Sequence, residues 1–338
     1  MKFFFKKIIY DFSIILLKIS GIFNKSHKAT DVLIRMVKPL GIGDVIMLSP
    51  IFYEFEKYKN RYYVTDIPLL QQIDNWEICD KKNQKKLNND KTLLVLPSYT
   101  LEDFLTAFFW KGKSLIIFDE NKIMNAGRTI IFKKNNFPHY SNRLDYFNSS
   151  KKFIYPNLID YNINTYGRYD IVLFPYVNWE SRQWPLKKWK SLIDELLKLD
   201  LSICLLGSNK KEEIDWNKKL ENNFITNLTG KLNIESSVHL MSKARLLICH
   251  DSGPFHIGCL INGLKIISIF GCTTSAKSRI PFISKGNYLE TIEPTNKCND
   301  NPYNGLVEPK CKNSNKCIDQ ITVENVFEKV NFYVECVE

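Results

Sequence analysis

Nowhere does this chain run for the ~20 uncharged apolar residues that a helix needs to cross a bilayer. The nearest approach is at the start, where Lys6, Lys7, Asp11 and Lys18 interrupt Phe3-Phe4-Phe5, Ile8-Ile9-Tyr10 and Ile14-Ile15-Leu16-Leu17. A convincing small-residue cleavage site is missing as well, which argues against a secretory leader. Residues 1–22 read instead as a basic amphipathic helix, lying on a membrane surface or docked on the protein itself. Paired C-x2-C units, the mark of a strong zinc site, are also missing. The nine cysteines are odd in number and scattered, which speaks against a disulfide framework and for reduced thiols in the cytoplasm. No internal repeat is visible.

What is present bounds the class. The chain has 338 residues, 44% hydrophobic and 25% charged, ordinary for globular protein and long enough for two domains. Lys and Arg outnumber Asp and Glu by 47 to 36, a net charge of +11 that suits anionic lipid, nucleic acid or a phosphorylated substrate.

Apolar runs alternate with helical patterns. Strands are expected at 32–37, 62–64, 92–97 and 114–118, with helices from Asp44 to about Tyr58 and over 101–110. The polar run 80–90 reads as a surface loop, and 148–169, without periodicity, as a linker. Alternation then resumes, with strands at 170–175, 201–207, 225–230, 245–248 and 265–271 and helices over 186–199, 210–220, 234–242 and about 323–334. This pattern predicts α/β architecture with helices on both faces of parallel sheets, where ligands bind at the carboxyl ends of strands. The expected divisions are 1–22, an N-terminal Rossmann-like domain over 23–160, a C-terminal one over 161–322, and a terminal helix over 323–338.

The most informative segment is Cys249-His250-Asp251-Ser252-Gly253-Pro254-Phe255-His256-Ile257-Gly258. Ser252 or Gly253 is a good N-cap and Pro254 suits the first helical position, so the turn offers backbone N–H groups at a helix N-terminus, an anion site. An acid, a hydroxyl and an imidazole stand beside it in Asp251, Ser252 and His256. His27, His139, His239 and His250 have no comparable context. Upstream, Gly41-Ile42-Gly43-Asp44 lets the backbone turn tightly, and Asp44 reads either as a helix cap or as a general base. Position 46 is Ile, so a dinucleotide fingerprint, and with it a nicotinamide oxidoreductase, lacks its third glycine.

Three segments together resemble glycosyltransferase family 9, the bacterial ADP-heptose glycosyltransferases. They are Arg35–Pro50 with its G-D-x5-P core, Ser181-Arg182-Gln183-Trp184-Pro185-Leu186-Lys187-Lys188-Trp189, and Asp251–Gly258 followed by Ile267-Ser268-Ile269-Phe270-Gly271-Cys272-Thr273. The resemblance implies a GT-B fold, two doubly wound Rossmann-like domains facing each other across a cleft. It implies an inverting, metal-independent heptosyltransferase that moves heptose from ADP-heptose or another nucleotide sugar to a lipopolysaccharide or lipooligosaccharide core. Asp44 falls on the family's proposed base, next to Gly43. Arg182, where relatives more often carry Lys, falls on a diphosphate contact and assists catalysis. Glu212 or Glu213 falls near a ribose contact, and Asp251, Ser252, Gly253, His256 and Thr273 line the donor site, with Thr274 adjacent. Cys298, Cys311, Cys317 and Cys336 read as free thiols or, as in some relatives that modify proteins, as iron ligands. The partners implied are a lipid-linked oligosaccharide acceptor and the inner face of the cytoplasmic membrane, with no nucleic acid. Alternatives are a relative acting on a protein or another surface glycan, and a catalytically silent sugar-nucleotide-binding scaffold.

Overall fold

The computed structural model describes residues 29–37, 41–49, 51–66, 73, 75–97, 101–117, 122–126, 129–133, 167–271, 286–296 and 317–335. The expected N-terminal helix, most of the expected linker, Thr273, Thr274, Cys298, Cys311 and Cys336 lie outside them. The chain divides into two compact units, Met1–Leu158 and Ile159–Glu338.

Unit 1 is built on β1 (Asp31–Met36), α1 (Ile42–Leu48), α2 (Ile51–Glu54), β2 (Asn60–Thr65), β3 (Glu77–Ile78), β4 (Thr92–Leu96), α3 (Leu101–Phe109), β5 (Ser114–Ile117), β6 (Lys122–Ala126) and β7 (Thr129–Lys133). Its seven strands lie in the order β3-β2-β1-β4-β5-β7-β6, parallel except for the β6–β7 hairpin. β1 is buried from Val32 to Met36, which is why it reads as an apolar run broken only by Arg35 rather than as an alternating one.

The helix expected from Asp44 to Tyr58 is two short helices. α1 ends at Leu48, and the Ser49 Oγ donates to the Ile46 carbonyl at 2.8 Å. Pro50 follows in the sequence, and a proline has no N–H with which to continue a helix. The polar run 80–90 contains a short 3-10 turn at Asn83–Leu87.

Unit 2 is built on β8 (Ile171–Phe174), α4 (Leu186–Leu197), β9 (Ile203–Leu205), α5 (Lys211–Lys218), β10 (Ile225–Asn227), α6 (Ile234–Lys243), β11 (Leu246–His250), α7 (Gly253–Leu260), β12 (Lys265–Ile269), β13 (Tyr288–Ile292) and α8 (Val323–Glu335). The six strands are all parallel, in the order β10-β9-β8-β11-β12-β13. This is the doubly wound order in which the chain works outward from β8, then crosses to β11 and works outward the other way. Such a reversal leaves a crevice at the carboxyl ends of the two central strands. In unit 1, β1 and β4 hold the corresponding places.

The helices of unit 2 are amphipathic. Trp189, Leu192, Ile193 and Leu196 form one buried stripe of α4, and Val326, Val330 and Tyr333 one of α8. Both stripes enter a single core with Ile171, Leu173, Leu205, Ile248 and Ile267 from the sheet. Trp184 and Trp189 are fully buried there, ring against ring at 5.3 Å, as anchors of the segment that leads into α4.

Candidate functional site

The loop after β8 and the turn after β11 flank the reversal point of unit 2, and their side chains meet. The Arg182 Nη1 lies 3.1 Å from the Asp251 Oδ2 and also donates to the Asp251 carbonyl at 3.1 Å. Arg182 is only 6% exposed and Asp251 is fully buried, so each charge needs the other. The Arg182 guanidinium carbon also stands 4.0 Å from the centre of the Trp179 ring.

Ser252 caps α7 in extended conformation, with Gly253 at the first helical position and Pro254 at the second, one place later than expected. Its hydroxyl donates to the His250 carbonyl at 3.2 Å and makes no cap bond of its own. His256, fully buried one turn into α7, places Nε2 3.8 Å from the Asp251 Oδ1. Arg182, Asp251, Ser252, Gly253 and His256 are therefore gathered at one sheet end. There the first-turn N–H groups and dipole of α7 favour an anion.

Two close approaches shape this end of the sheet. A Cβ on Gly271, just after β12, would stand 2.2 Å from the Ser181 carbonyl oxygen, so only glycine lets the Arg182 loop lie this close. A Cβ on Gly207, just after β9, would stand 2.7 Å from the Glu213 Oε1.

The two glutamates that follow Gly207 differ. Glu212 is exposed on the first turn of α5, whereas Glu213 is buried behind the turn and accepts from the Ser208 hydroxyl. Burial raises the Glu213 pKa above its ordinary value, and the Ser208 bonds and Lys210 oppose that rise. Asn217, also buried, donates to the Thr229 Oγ1 at 2.8 Å beneath the same turn.

In unit 1, Asp44 is half-buried at the third position of α1, and its Oδ2 accepts the Gly41 N–H at 3.0 Å. It is therefore not the N-cap residue itself but the reciprocal acid that reaches back to the cap. Gly41 has φ −80°, open to any residue, so the tight turn expected of a glycine there is not what its conformation requires.

In the same unit, Arg35 on β1 is buried and donates to the Asp103 Oδ1 at 2.8 Å and to Glu102, both in the first turn of α3. A buried Arg–Asp pair thus spans the reversal point of each unit. Arg35 and Asp103 are 68 residues apart, a pairing that no local pattern announces.

Sequence reasoning also missed His250. It is fully buried against the Trp189 ring at 5.4 Å, and its Nε2 accepts the Trp184 backbone N–H at 3.0 Å. Burial lowers its pKa from the ordinary 6.5 to about 3, so the ring is neutral at physiological pH. Among the described residues no group of three or more His, Cys, Asp or Glu side chains is placed to hold a metal ion, and Cys317 is buried.

Two doubly wound sheets, each with a crevice at the carboxyl ends of its central strands, define the class as α/β with two Rossmann-like units. Residues 132–303, half of the chain, match the model of glycosyltransferase family 9 (heptosyltransferase), and the chain belongs to that family. The match contains Arg182, Glu212, Glu213 and the Asp251–His256 turn, while Asp44 lies outside it.

Lipooligosaccharide heptosyltransferase 2 of Haemophilus ducreyi is 28% identical over 111 residues, 31% of each chain. The chain thus spans 31% and 34% of the length of the two curated Haemophilus relatives it matches. The crystal structure of a family 9 glycosyl transferase from Veillonella parvula superposes with a TM-score of 0.66 at 14% identity, covering 92% of this chain and 98% of that one. E. coli heptosyltransferase WaaC with ADP gives 0.61 at 16% identity, over 90% and 99%. At such identities the likeness is one of fold, here the GT-B fold of two Rossmann-like units.

Proposed function

We propose that this chain is an inverting heptosyltransferase that takes heptose from ADP-heptose and places it on a lipid-linked lipopolysaccharide or lipooligosaccharide core. The observation that carries the reading is the gathering of Arg182, Asp251, Ser252 and His256 around the N-terminus of α7 at the reversal point of the donor unit. A diphosphate needs donors fixed in advance, and the N-terminus of α7 with the held Arg182 beside it supports that reading. Family membership supplies the class of reaction, and a relative's structure with ADP supports the nucleotide.

In this reading Asp44 accepts the proton of the acceptor hydroxyl as its oxygen bonds to the anomeric carbon. The bond from that carbon to the diphosphate oxygen breaks, and the electron pair leaves with the diphosphate. Arg182, Ser252 and the α7 N-terminus stabilise the departing charge. In this reading Arg182 keeps Nη1 on the Asp251 carboxylate, and a shift of the loop brings its other nitrogens, buried in the ligand-free chain, to the phosphate. Gly43 lets acceptor or donor approach beside Asp44, Thr273 adds a hydroxyl contact, and Glu212 or Glu213 meets the ribose. No step is assigned to a metal.

Residues 23–160 hold the acceptor and 161–322 hold the donor, and the terminal helix Val323–Glu335 follows them. Residues 1–22, with the surplus of +11, suit contact with anionic lipid at the cytoplasmic face.

Calorimetry of ADP against UDP, GDP and NAD tests the reading. ADP is expected to bind in preference, and a Ser252→Ala/His256→Ala double substitution to weaken it at least about tenfold. Asp44→Ala should abolish transfer, a loss of about 10²-fold or more, while leaving ADP affinity unchanged. Preference for UDP or GDP would move the donor, failure to bind any nucleotide would favour a scaffold, and near-normal turnover of Asp44→Ala would remove it as the base.

A further inference from the structure

The loop that carries Arg182 is fastened at several points. The Gln183 Oε1 accepts the Val177 N–H at 2.9 Å, and its Nε2 donates to the Pro175 and Trp184 carbonyls at 2.9 and 3.0 Å. The Trp184 indole N–H donates to the Ile321 carbonyl at 2.9 Å. These contacts brace the loop internally or against the C-terminal segment. Two others bind it across the reversal point to consecutive residues at the end of β11, Arg182 to Asp251 and the Trp184 N–H to His250.

His250 is an expensive choice for that place. Its neighbours along β11, Leu246 to Cys249, are apolar and fully or almost fully buried. Because Nε2 accepts, the proton of the neutral ring sits on Nδ1. That atom is buried with no hydrogen-bond partner among the described residues, so the folded state carries its desolvation. An apolar side chain would avoid the cost but would orphan the buried Trp184 N–H instead.

The geometric return is a second attachment point. One ion pair between two surfaces leaves a loop free to pivot about it, whereas a second bond two residues away fixes both position and direction. We propose that His250 is a positioning residue. By holding the Trp184 N–H, it fixes the loop so that Arg182 stands on Asp251 with its guanidinium set for the donor diphosphate. The inference rests on the donor-site reading of unit 2.

The test uses the full-length chain with ADP as probe. His250→Gln puts an amide acceptor near the Nε2 position, whereas His250→Asn puts one near Nδ1, out of reach of Trp184. His250→Asn is expected to weaken ADP about tenfold, and His250→Gln to remain within about threefold of the wild-type chain. His250→Asn combined with Arg182→Ala should be little worse than Arg182→Ala alone, because both remove the same interaction. Hydrogen exchange at the Trp184 amide should accelerate in the Asn variant and not in the Gln variant.

Equal ADP affinity in both variants, full additivity with Arg182→Ala, or unchanged exchange at Trp184 would overturn the assignment. If the Asn variant does not fold, wild-type-like binding and slow Trp184 exchange in His250→Gln support it, and a tenfold loss there overturns it. A wild-type chain that binds no nucleotide would instead overturn the donor-site reading, while Trp184 exchange would still decide whether His250 holds the loop.

Discussion

Glu213 and Glu212 are adjacent in sequence and opposite in environment, and the difference can be measured. Burial raises the Glu213 pKa above the ordinary 4.5. Below 4.5 the carboxyl is protonated in both folded and unfolded chains, and its contribution to stability is fully present. As the pH rises through the folded value, the buried group must ionise and that contribution is lost. Glu213→Gln keeps a partner for Ser208 and never ionises. It should raise the Tm at neutral pH and remove the decline above pH 4.5, as thermal melts across the range would show. A Tm unchanged at pH 7 would count against a buried carboxyl. At this scale the sequence was legible wherever a residue acts beside its chain neighbours. Asp251, Ser252 and His256 stand within one turn, so their proximity could be read off their spacing. Arg35 with Asp103, and His250 with the Trp184 N–H, are 68 and 66 residues apart and meet only because strands become neighbours.

Among the elements, strands buried on both faces were the plainest. β1, β8, β11 and β12 are short, mainly apolar runs, and the structure places each within a residue or two of its expected bounds. β3, the β6–β7 hairpin and β13 had not been anticipated. β3 is two exposed residues, too short for any period. The two five-residue strands of the hairpin are separated in the sequence by Gly127-Arg128, and a glycine at the head of a two-residue gap is a sequence signal for a hairpin. The fit of loop to strand is also a property of elements. Gly271→Ala would drive a methyl into the Ser181 carbonyl, and backbone cannot step aside as a side chain can. The expected cost is about 1–3 kcal/mol of stability, together with weaker ADP binding because the Arg182 loop must shift. Denaturant melts and calorimetry would measure both, and an alanine variant equal to the wild-type chain in the two assays would show the contact to be looser than it is drawn.

For the whole molecule, the division into two doubly wound units followed from strand–helix alternation resuming after a polar gap, and the chain does divide into two compact units. What alternation could not reveal was which unit the last helix completes. α8 begins 126 residues after α4 ends, yet Val326 and Val330 are buried in the same core as Trp189 and Leu192. Val330→Ala should destabilise by about 2 kcal/mol. Hydrogen exchange should show the loss in the strands of unit 2 and leave β1 and β4 protected as before. Loss of protection in both units alike would mean that they unfold together.

The place of α8 also sets an order of events during synthesis. The described strands of unit 1 are all synthesised by residue 133, and their sheet can close while the ribosome is still translating the remainder. The core of unit 2 stays open on one side until Tyr333 has cleared the exit tunnel. At ~5–20 residues per second, the interval from Lys133 to Tyr333 is about 10–40 s. For that time the nascent chain carries a finished first half and a second half whose inner apolar face remains open to chaperones.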